Sequence, residues 1–191
     1  MTRRLVTWAA LGAAMLVSAA ASAAEKYDID ASHSSVLFRI KHLDVTWFYG
    51  RFNDIRGAVT IDKDKPDAGA VSVEIAARSV DTGNKKRDDH LRGPDFFNVK
   101  QFPKLSFKST SVKAVGDDEL EVTGDLTCHG VTKPITIRLV KTGEGKSPFG
   151  DFRAGWETKF TIQRSEFGIT YSPKALSENI DVIVSIEGVR K

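Results

Sequence analysis

Apolar and polar residues alternate with a period of two along most of this chain. Because successive side chains of a β-strand point to opposite faces of a sheet, this pattern predicts strands with one buried face. Eight segments carry it, and their apolar positions are Val36, Phe38 and Ile40; Phe48, Phe52, Ile55, Val59 and Ile61; Val71, Val73, Ile75 and Ala77; Leu105 and Phe107; Leu120, Val122, Leu126 and Cys128; Ile135, Ile137 and Leu139; Ala154, Trp156, Phe160 and Ile162; and Ile180, Val182, Val184 and Ile186. Eight short strands separated by turn residues are typical of a β-sandwich or an antiparallel β-barrel.

The second of these segments is longer than the others and changes phase in its middle. Alternation runs from Phe48 to Phe52, slips at Asn53 and Asp54, and resumes at Ile55. An extra residue in a strand shifts the two-residue period in this way. The sequence therefore predicts a β-bulge within one long strand.

A short helix is predicted between the third and fourth segments. Asn84 is a good N-cap residue, and Gly93 followed by Pro94 is typical of a helix end. The region after the helix is rich in phenylalanine, at Phe96, Phe97, Phe102 and Phe107. The helix and this aromatic cluster could close one end of a barrel or form a satellite core beneath a long loop, and the pattern does not distinguish the two.

The N-terminus has the layout of a secretory signal peptide. Arg3 and Arg4 precede an uncharged apolar run over residues 5–17, and small residues follow up to Ala24. A basic region, an apolar region and an A-x-A site in this order predict Sec export, with cleavage after Ala23 or Ala24. The apolar run is shorter than the ~20 residues that span a bilayer, so we expect no stable membrane anchor. The expected location is the periplasm.

Formal charges nearly balance once the signal peptide is set aside. The full chain has 28 Lys and Arg residues and 25 Asp and Glu residues, a net charge of +3. The signal peptide contains two arginines and no acids, so 26 basic residues remain against 25 acidic ones. A nucleic-acid-binding domain needs a clear basic excess, so we expect no nucleic-acid partner. Residues 25–191 are enough for a single domain.

Residues that could support catalysis or metal binding are few and scattered. No compact metal-ligand spacing relates the four histidines, which are His33, His42, His90 and His129. Cys128 is the only cysteine and lies in alternating sequence, so it reads as a small buried hydrophobe. Residues 88–90 offer acids and a histidine without a nearby nucleophile. We therefore predict no catalytic residue and no metal ligand.

Three cations stand in the first turn of the predicted helix, at Lys85, Lys86 and Arg87. The helix dipole favours acids there, so a cationic turn is unusual. It is either a tolerated surface cluster or an anion site in which helix N–H groups and cations cooperate.

Seven segments, taken in order and spacing, carry a resemblance to a known family. They cover residues 30–38, 41–42, 50–52, 88–97, 102–107, 124–132 and 164–169. Together they resemble the YceI-like family of periplasmic polyisoprenoid-binding proteins, from Tyr27 to about Val189. Cys128 stands where that family more usually has an aliphatic residue, and a small hydrophobe fills the same role.

The resemblance implies a lipocalin-like, eight-stranded antiparallel β-barrel with an internal apolar cavity. Its ligand would be a long amphiphile such as a polyisoprenoid, a prenyl pyrophosphate or an isoprenoid quinone, with no cofactor beyond that lipid. By analogy with the family, a homodimer is one plausible oligomeric state. An eight-stranded barrel is about wide enough to hold one slender ligand.

Two groups of residues are the candidate site. The apolar cavity is assigned to Val36, Phe38, Ile40, Phe52, Val73, Ile75, Leu91, Phe96, Phe107, Leu126, Trp156 and Phe160. The ligand head group is assigned to His42, Lys86, Arg87, Asp89, His90, Arg92 and Arg164.

Three classes of function follow from this. The leading one is a non-catalytic lipid carrier or store. The second is an enzyme acting on an isoprenoid lipid, although Asp89 and His90 are adjacent and would diverge on a helix. The third is a structural or adhesive surface protein, which typically shows repeats that this sequence lacks.

Overall fold

Strands dominate the structure, a computed structural model that describes residues 24–62 and 64–191. The predicted signal peptide lies outside these residues except for Ala24. The described residues form eleven strands and one α-helix, which are β1 (Glu25–Ile29), β2 (Ser35–His42), β3 (Thr46–Phe52), β4 (Ile55–Ile61), β5 (Ala70–Ala76), β6 (Val80–Asp81), α1 (Lys85–Leu91), β7 (Lys104–Ala114), β8 (Glu119–Cys128), β9 (Val131–Lys146), β10 (Phe152–Gln163) and β11 (Leu176–Arg190). Short 3-10 helices cover Pro66–Ala68, Ala77–Ser79 and Arg164–Phe167. No helix in these ranges has both the length and the apolar character needed to cross a membrane.

Eight of the strands close into an antiparallel barrel. Their order is β1-β4-β5-β7-β8-β9-β10-β11, and β11 pairs back with β1 through Tyr27 opposite Arg190. Closure gives each of these eight strands a partner on both sides, which removes the sheet edges that a sandwich would leave. The predicted eight-stranded antiparallel barrel is confirmed.

Three further strands extend the wall at one end of this barrel. β2 pairs with β11, β3 pairs with β2, and β6 pairs with β3. The predicted bulge in one long strand is therefore wrong in detail, because β3 and β4 are separate strands with different partners. The backbone N–H groups of Asn53 and Asp54 donate to Ser79, at 3.1 Å each, instead of to a neighbouring strand.

Helix α1 has the predicted caps. The Asn84 side chain accepts a hydrogen bond from the backbone N–H of Arg87 at 3.1 Å, and the Gly93 N–H donates to the carbonyl of His90 at 2.9 Å. Leu91 on this helix and Phe97 beyond it pack against the main core of the barrel. The helix and the segment after it thus form part of the wall at the extended end.

Candidate functional site

The barrel encloses a cavity of about 440 Å³. Strands β2, β3, β5 and β7–β11 supply most of its lining, and α1 with the aromatic segment that follows supplies the rest. The lining is aliphatic and aromatic apart from a few polar side chains. Because folded interiors normally leave few voids larger than a water molecule, a space of this size is an exception to close packing.

Eleven of the twelve residues assigned to the apolar cavity line it, nine of them on strands, where parity places them on the inner face, and two on α1 and the segment after it. They are Val36, Phe38, Ile40, Phe52, Val73, Ile75, Leu91, Phe96, Phe107, Leu126 and Phe160. Trp156 does not line this space. It lies on the same face of β10 as Phe160 but nearer the other end of the barrel, where it borders a second cavity of about 350 Å³.

Trp156 and Tyr27 form a packed aromatic pair beside that second cavity. Their ring centroids are 5.1 Å apart in an edge-to-face arrangement, and both side chains are almost fully buried. The Tyr27 hydroxyl donates to a carboxylate oxygen of Glu25 at 2.6 Å. Burial, together with this carboxylate, raises the pKa of Tyr27 above its usual range. We call this pair the aromatic floor.

Many further residues line the cavity that were not among the predicted site residues. Those on predicted strands are Phe48, Val71, Leu105, Ser106, Cys128, Ile135, Ile137, Leu139, Thr158, Ile162, Ile180, Val182, Val184 and Ile186. Most share the parity of the assigned residues, so extending the two-residue period along each strand would have found them. Residues of the connection between β10 and β11, such as Phe167, Ile169 and Tyr171, follow no strand period and gave no such signal.

Four of the seven residues assigned to the head group line the cavity, and they are His42, Arg87, His90 and Arg164. They come from the end of β2, from α1 and from the 3-10 helix after β10. All of these elements lie at the extended end of the barrel, which we call the mouth. The polar lining is therefore concentrated at the mouth, and the strands beyond it contribute mainly apolar side chains.

Arg87 lies flat against the cavity wall. Its guanidinium stacks 4.0 Å above the ring of Phe48 and donates to the hydroxyl and the carbonyl of Thr82, at 2.9 and 3.0 Å. A guanidinium over an aromatic face is a favourable cation–π contact. The contact keeps a positive charge beside an apolar wall.

Arg164 is buried, with only 4% of its surface exposed. Its guanidinium donates to the carbonyl oxygens of Ile169, Tyr171, Leu176 and Ser177 at 2.8–3.2 Å. Among the described residues, these bonds account for four of its five N–H donors. Arg164 thereby fixes the connection between β10 and β11 and directs a positive charge to the mouth.

His90 is held by an acid and two rings. Its Nε2 lies 2.8 Å from a carboxylate oxygen of Asp95, and its ring meets those of Phe96 and Tyr171 edge-to-face at 5.1 Å. The helix orients His90 towards the cavity, and the contact with Asp95 fixes the orientation of its ring. His90 is thus a hydrogen-bonding group at the rim of an otherwise aromatic entrance.

The structure places Lys86, Asp89 and Arg92 outside the cavity lining. Arg92 donates to the carbonyls of Arg78 and Val80 at 2.8 and 2.7 Å. These hydrogen bonds direct its guanidinium along the barrel wall. Asp89 pairs with Lys85 at 2.5 Å, and this contact lowers the pKa of Asp89. Asp89 and Arg92 thus stabilise the helix and its junction with β6, whereas Lys86 is exposed. All three lie outside the cavity because a seven-residue helix presents only part of its surface to it.

Cys128 lines the cavity as the small hydrophobe that its position predicts. It is buried, and burial raises the pKa of its thiol to about 12. A thiol with this pKa is protonated at neutral pH and is a poor nucleophile. The side chain therefore contributes apolar surface.

Outside the cavity, Asp30, His33 and Glu187 are grouped closely enough to suggest a cation site. Arg153 occupies the middle of that group and donates to both carboxylates, to Asp30 at 2.8 Å. The guanidinium already supplies the positive charge that the carboxylates require. The group is therefore an ion-pair network.

Comparison with known proteins finds relatives of similar sequence and solved structures of similar fold. A UPF0312 protein of Pseudomonas aeruginosa (strain LESB58) is 43% identical over 192 residues, with 100% of both chains covered. The crystal structure of Burkholderia cenocepacia BcnA has a TM-score of 0.76 at 22% identity and covers 83% of this chain and 98% of that one. A polyisoprenoid binding domain from Saccharophagus degradans, implicated in plant cell wall breakdown, has a TM-score of 0.69 at 19% identity, with coverages of 86% and 98%. The two solved structures share the barrel fold.

Family membership rests on the sequence itself. The YceI-like domain matches residues 27–188, which covers all or most of every strand of the closed barrel. The matched range also contains helix α1 and the aromatic segment that follows it. The chain belongs to the family of YceI-like domains.

Proposed function

We propose that this protein binds the hydrocarbon chain of a long amphiphile inside the barrel and carries or stores it in the periplasm without changing it chemically. The observation that carries this proposal is a cavity of about 440 Å³ with an apolar interior and polar groups gathered at one end. Ligand sites are typically such concave, mostly apolar spaces with a few placed polar groups. The periplasmic location follows from the predicted signal peptide.

Burial of hydrocarbon supplies the affinity. Each buried CH₂ group contributes ~0.8 kcal/mol, so a chain that crosses an aqueous compartment uncovered is strongly disfavoured. Phe38, Phe52 and Phe107 provide broad apolar surfaces for such a chain. A protein that covers the chain makes transfer between membranes feasible.

The head group would lie at the mouth. Arg87 and Arg164 bring positive charge there, and His42 and His90 bring ring nitrogens. Guanidinium groups bind pyrophosphate oxygens well, and an imidazole N–H can donate to a quinone carbonyl. A head group rich in acceptor oxygens suits both sets of residues.

The comparisons support a lipid ligand. The solved domain from Saccharophagus degradans is described as polyisoprenoid binding, and its barrel resembles this one. At 19% identity that likeness concerns the fold, so the ligand class enters here as part of our proposal. An isoprenoid chain is one member of the class of slender apolar chains that the cavity suits.

Native mass spectrometry of protein purified from the periplasm, followed by organic extraction, tests this function. We expect a bound long-chain lipid or quinone whose identity also reports the head group. A clean ligand-free mass, with no uptake of added isoprenoids or acyl chains, would contradict the proposal.

Two neighbouring substitutions provide a matched control. Val184 in β11 lines the cavity, whereas Ile183 does not. Val184→Trp should place an indole ring in the cavity and displace part of the bound chain. If only two CH₂ groups of the ligand lose their buried position, binding should weaken by more than about tenfold. Ile183→Trp adds the same group to the outer face and should leave binding of the extracted lipid unchanged. Circular dichroism of both variants establishes that they are folded.

A further inference from the structure

Thr158 has a buried hydroxyl without a hydrogen-bond partner among the described residues. The residue is 5% exposed and lines the large cavity. Every other buried side-chain nitrogen or oxygen in the described ranges has a partner. Buried polar groups in native proteins are nearly always satisfied, so an exception requires an explanation.

The hydroxyl lies near the inner end of the cavity. Thr158 follows Trp156 of the aromatic floor by two residues on β10 and precedes Phe160 by two, so all three share one face of the strand. Directly opposite on β11 is Val184. The surroundings are apolar, and valine would fill the same volume as threonine without an unpaired hydroxyl.

The opposite end of the same strand leads to the mouth. Arg164 follows Thr158 by six residues, which corresponds to about 20 Å in an extended strand. The cavity therefore has polar groups at its mouth, a long apolar stretch, and one hydroxyl near its floor. A ligand that matches both ends would itself be polar at both ends.

We propose that Thr158 is a hydrogen-bonding subsite for an oxygen atom at the inserted end of the ligand. This inference rests on the proposed function and specifies its ligand class. The ligand is a single-chain amphiphile with a head group at the mouth and a terminal hydroxyl or carbonyl oxygen near the floor. A terminally oxygenated fatty acyl or isoprenoid chain has this chemistry.

Paired probes test the subsite. Dissociation constants are measured by calorimetry for hexadecanoic acid and ω-hydroxyhexadecanoic acid with the wild type, Thr158→Val and Thr158→Ser. Removing the hydroxyl should disfavour the ω-hydroxy acid relative to the plain acid by about fivefold or more. Thr158→Ser retains a hydroxyl and should retain the wild-type ratio. An unchanged ratio in Thr158→Val would overturn the proposal.

The ligand-free proteins provide a second readout. Because the hydroxyl has no partner, Thr158→Val should unfold at the same urea concentration as the wild type or at a higher one. A lower midpoint would show that the hydroxyl is bonded within the free protein, which also overturns the subsite. If the wild type bound neither acid nor any isoprenoid, the proposed function itself would fail. If the wild type and Thr158→Val bound both acids with the same ratio of dissociation constants, only the subsite would fail.

Discussion

Arg164 shows how a charged residue can be buried beside an apolar cavity. Charged side chains are seldom fully buried unless they are paired, and this one is paired with four backbone carbonyls. The carbonyls of Ile169 and Tyr171 belong to the connection between β10 and β11, and those of Leu176 and Ser177 lie at the start of β11. The planar guanidinium fits this geometry because its donors diverge in one plane.

Arg164→Lys should therefore destabilise the protein although it keeps the charge. A lysine ammonium has three donors and a different geometry, so at least one buried carbonyl would lose its partner at a cost of about 1–3 kcal/mol. Urea unfolding measures the change in the free energy of unfolding. Arg138→Lys on the exposed face of β9 is the control and should change little. Equal stability of Arg164→Lys and the wild type would show that the hydrogen bonds contribute nothing beyond charge.

Alternation along each strand predicts which side chains face the interior of the barrel, but it does not predict how far along the barrel axis they lie. Phe160 and Trp156 share a face, yet they border different cavities because Trp156 itself belongs to the aromatic floor. Likewise, Arg164 was selected by family motif, but its carbonyl partners depend on the path of a loop. Thr158 lies on the same alternating face as Trp156 and Phe160, but periodicity gives no reason to assign a hydroxyl to an apolar cavity, so it was not among the predicted site residues.

Among the elements, the junction between β1 and β2 is held by a charged cluster. Asp30 accepts hydrogen bonds from Ser32 at 2.5 Å and from Arg153 at 2.8 Å, and it lies 2.9 Å from Nδ1 of His33. Arg153 also contacts Glu187 on β11. The cluster fastens the turn that lets β1 and β2 pair with successive parts of one strand.

This cluster makes stability depend on acid. Hydrogen bonds from Ser32, and then from His33 and Arg153, hold the pKa of Asp30 well below its ordinary value of 3.8. Its contribution is complete above 3.8 and is lost as the pH falls towards the lower native pKa. Asp30→Asn should therefore cost about 1 kcal/mol at neutral pH. The difference from the wild type should shrink as the pH is lowered below 3.8.

Urea unfolding across this pH range measures the effect. Asp125→Asn on β8, where the side chain is exposed, is the matched control and should run parallel to the wild type at every pH. A constant difference between Asp30→Asn and the wild type down to acidic pH would show that ionisation of Asp30 is not linked to folding.

The elements themselves were predictable where alternation was long. Strands β7 to β11 follow the sequence pattern, whereas β1 was not predicted because only Tyr27 and Ile29 carry the alternation. β1 is stabilised by its partners β4 and β11, which come from distant parts of the chain. The apolar–polar pattern within a strand does not reveal which distant strands it pairs with.

At the scale of the whole molecule, closure of the barrel limits the size of the ligand. The wall is hydrogen-bonded all round, so the cavity cannot widen without breaking strand pairs. The aromatic floor closes one end, and the mouth is the polar end. The stretch from Thr158 on β10 to Arg164, about 20 Å in an extended strand, therefore limits the length of chain that the cavity encloses.

Affinity should therefore rise with chain length and then level off. For a series of saturated fatty acids, each added CH₂ should tighten binding about fourfold while it is buried, until the chain spans the roughly 20 Å from the aromatic floor to the mouth. Additional carbons would remain in water at the mouth and contribute little. Displacement of a fluorescent acyl probe measures the series. A continued rise well beyond this length would mean that the chain passes Trp156 and Tyr27 into the second cavity, and the aromatic floor would then be a gate that longer ligands open.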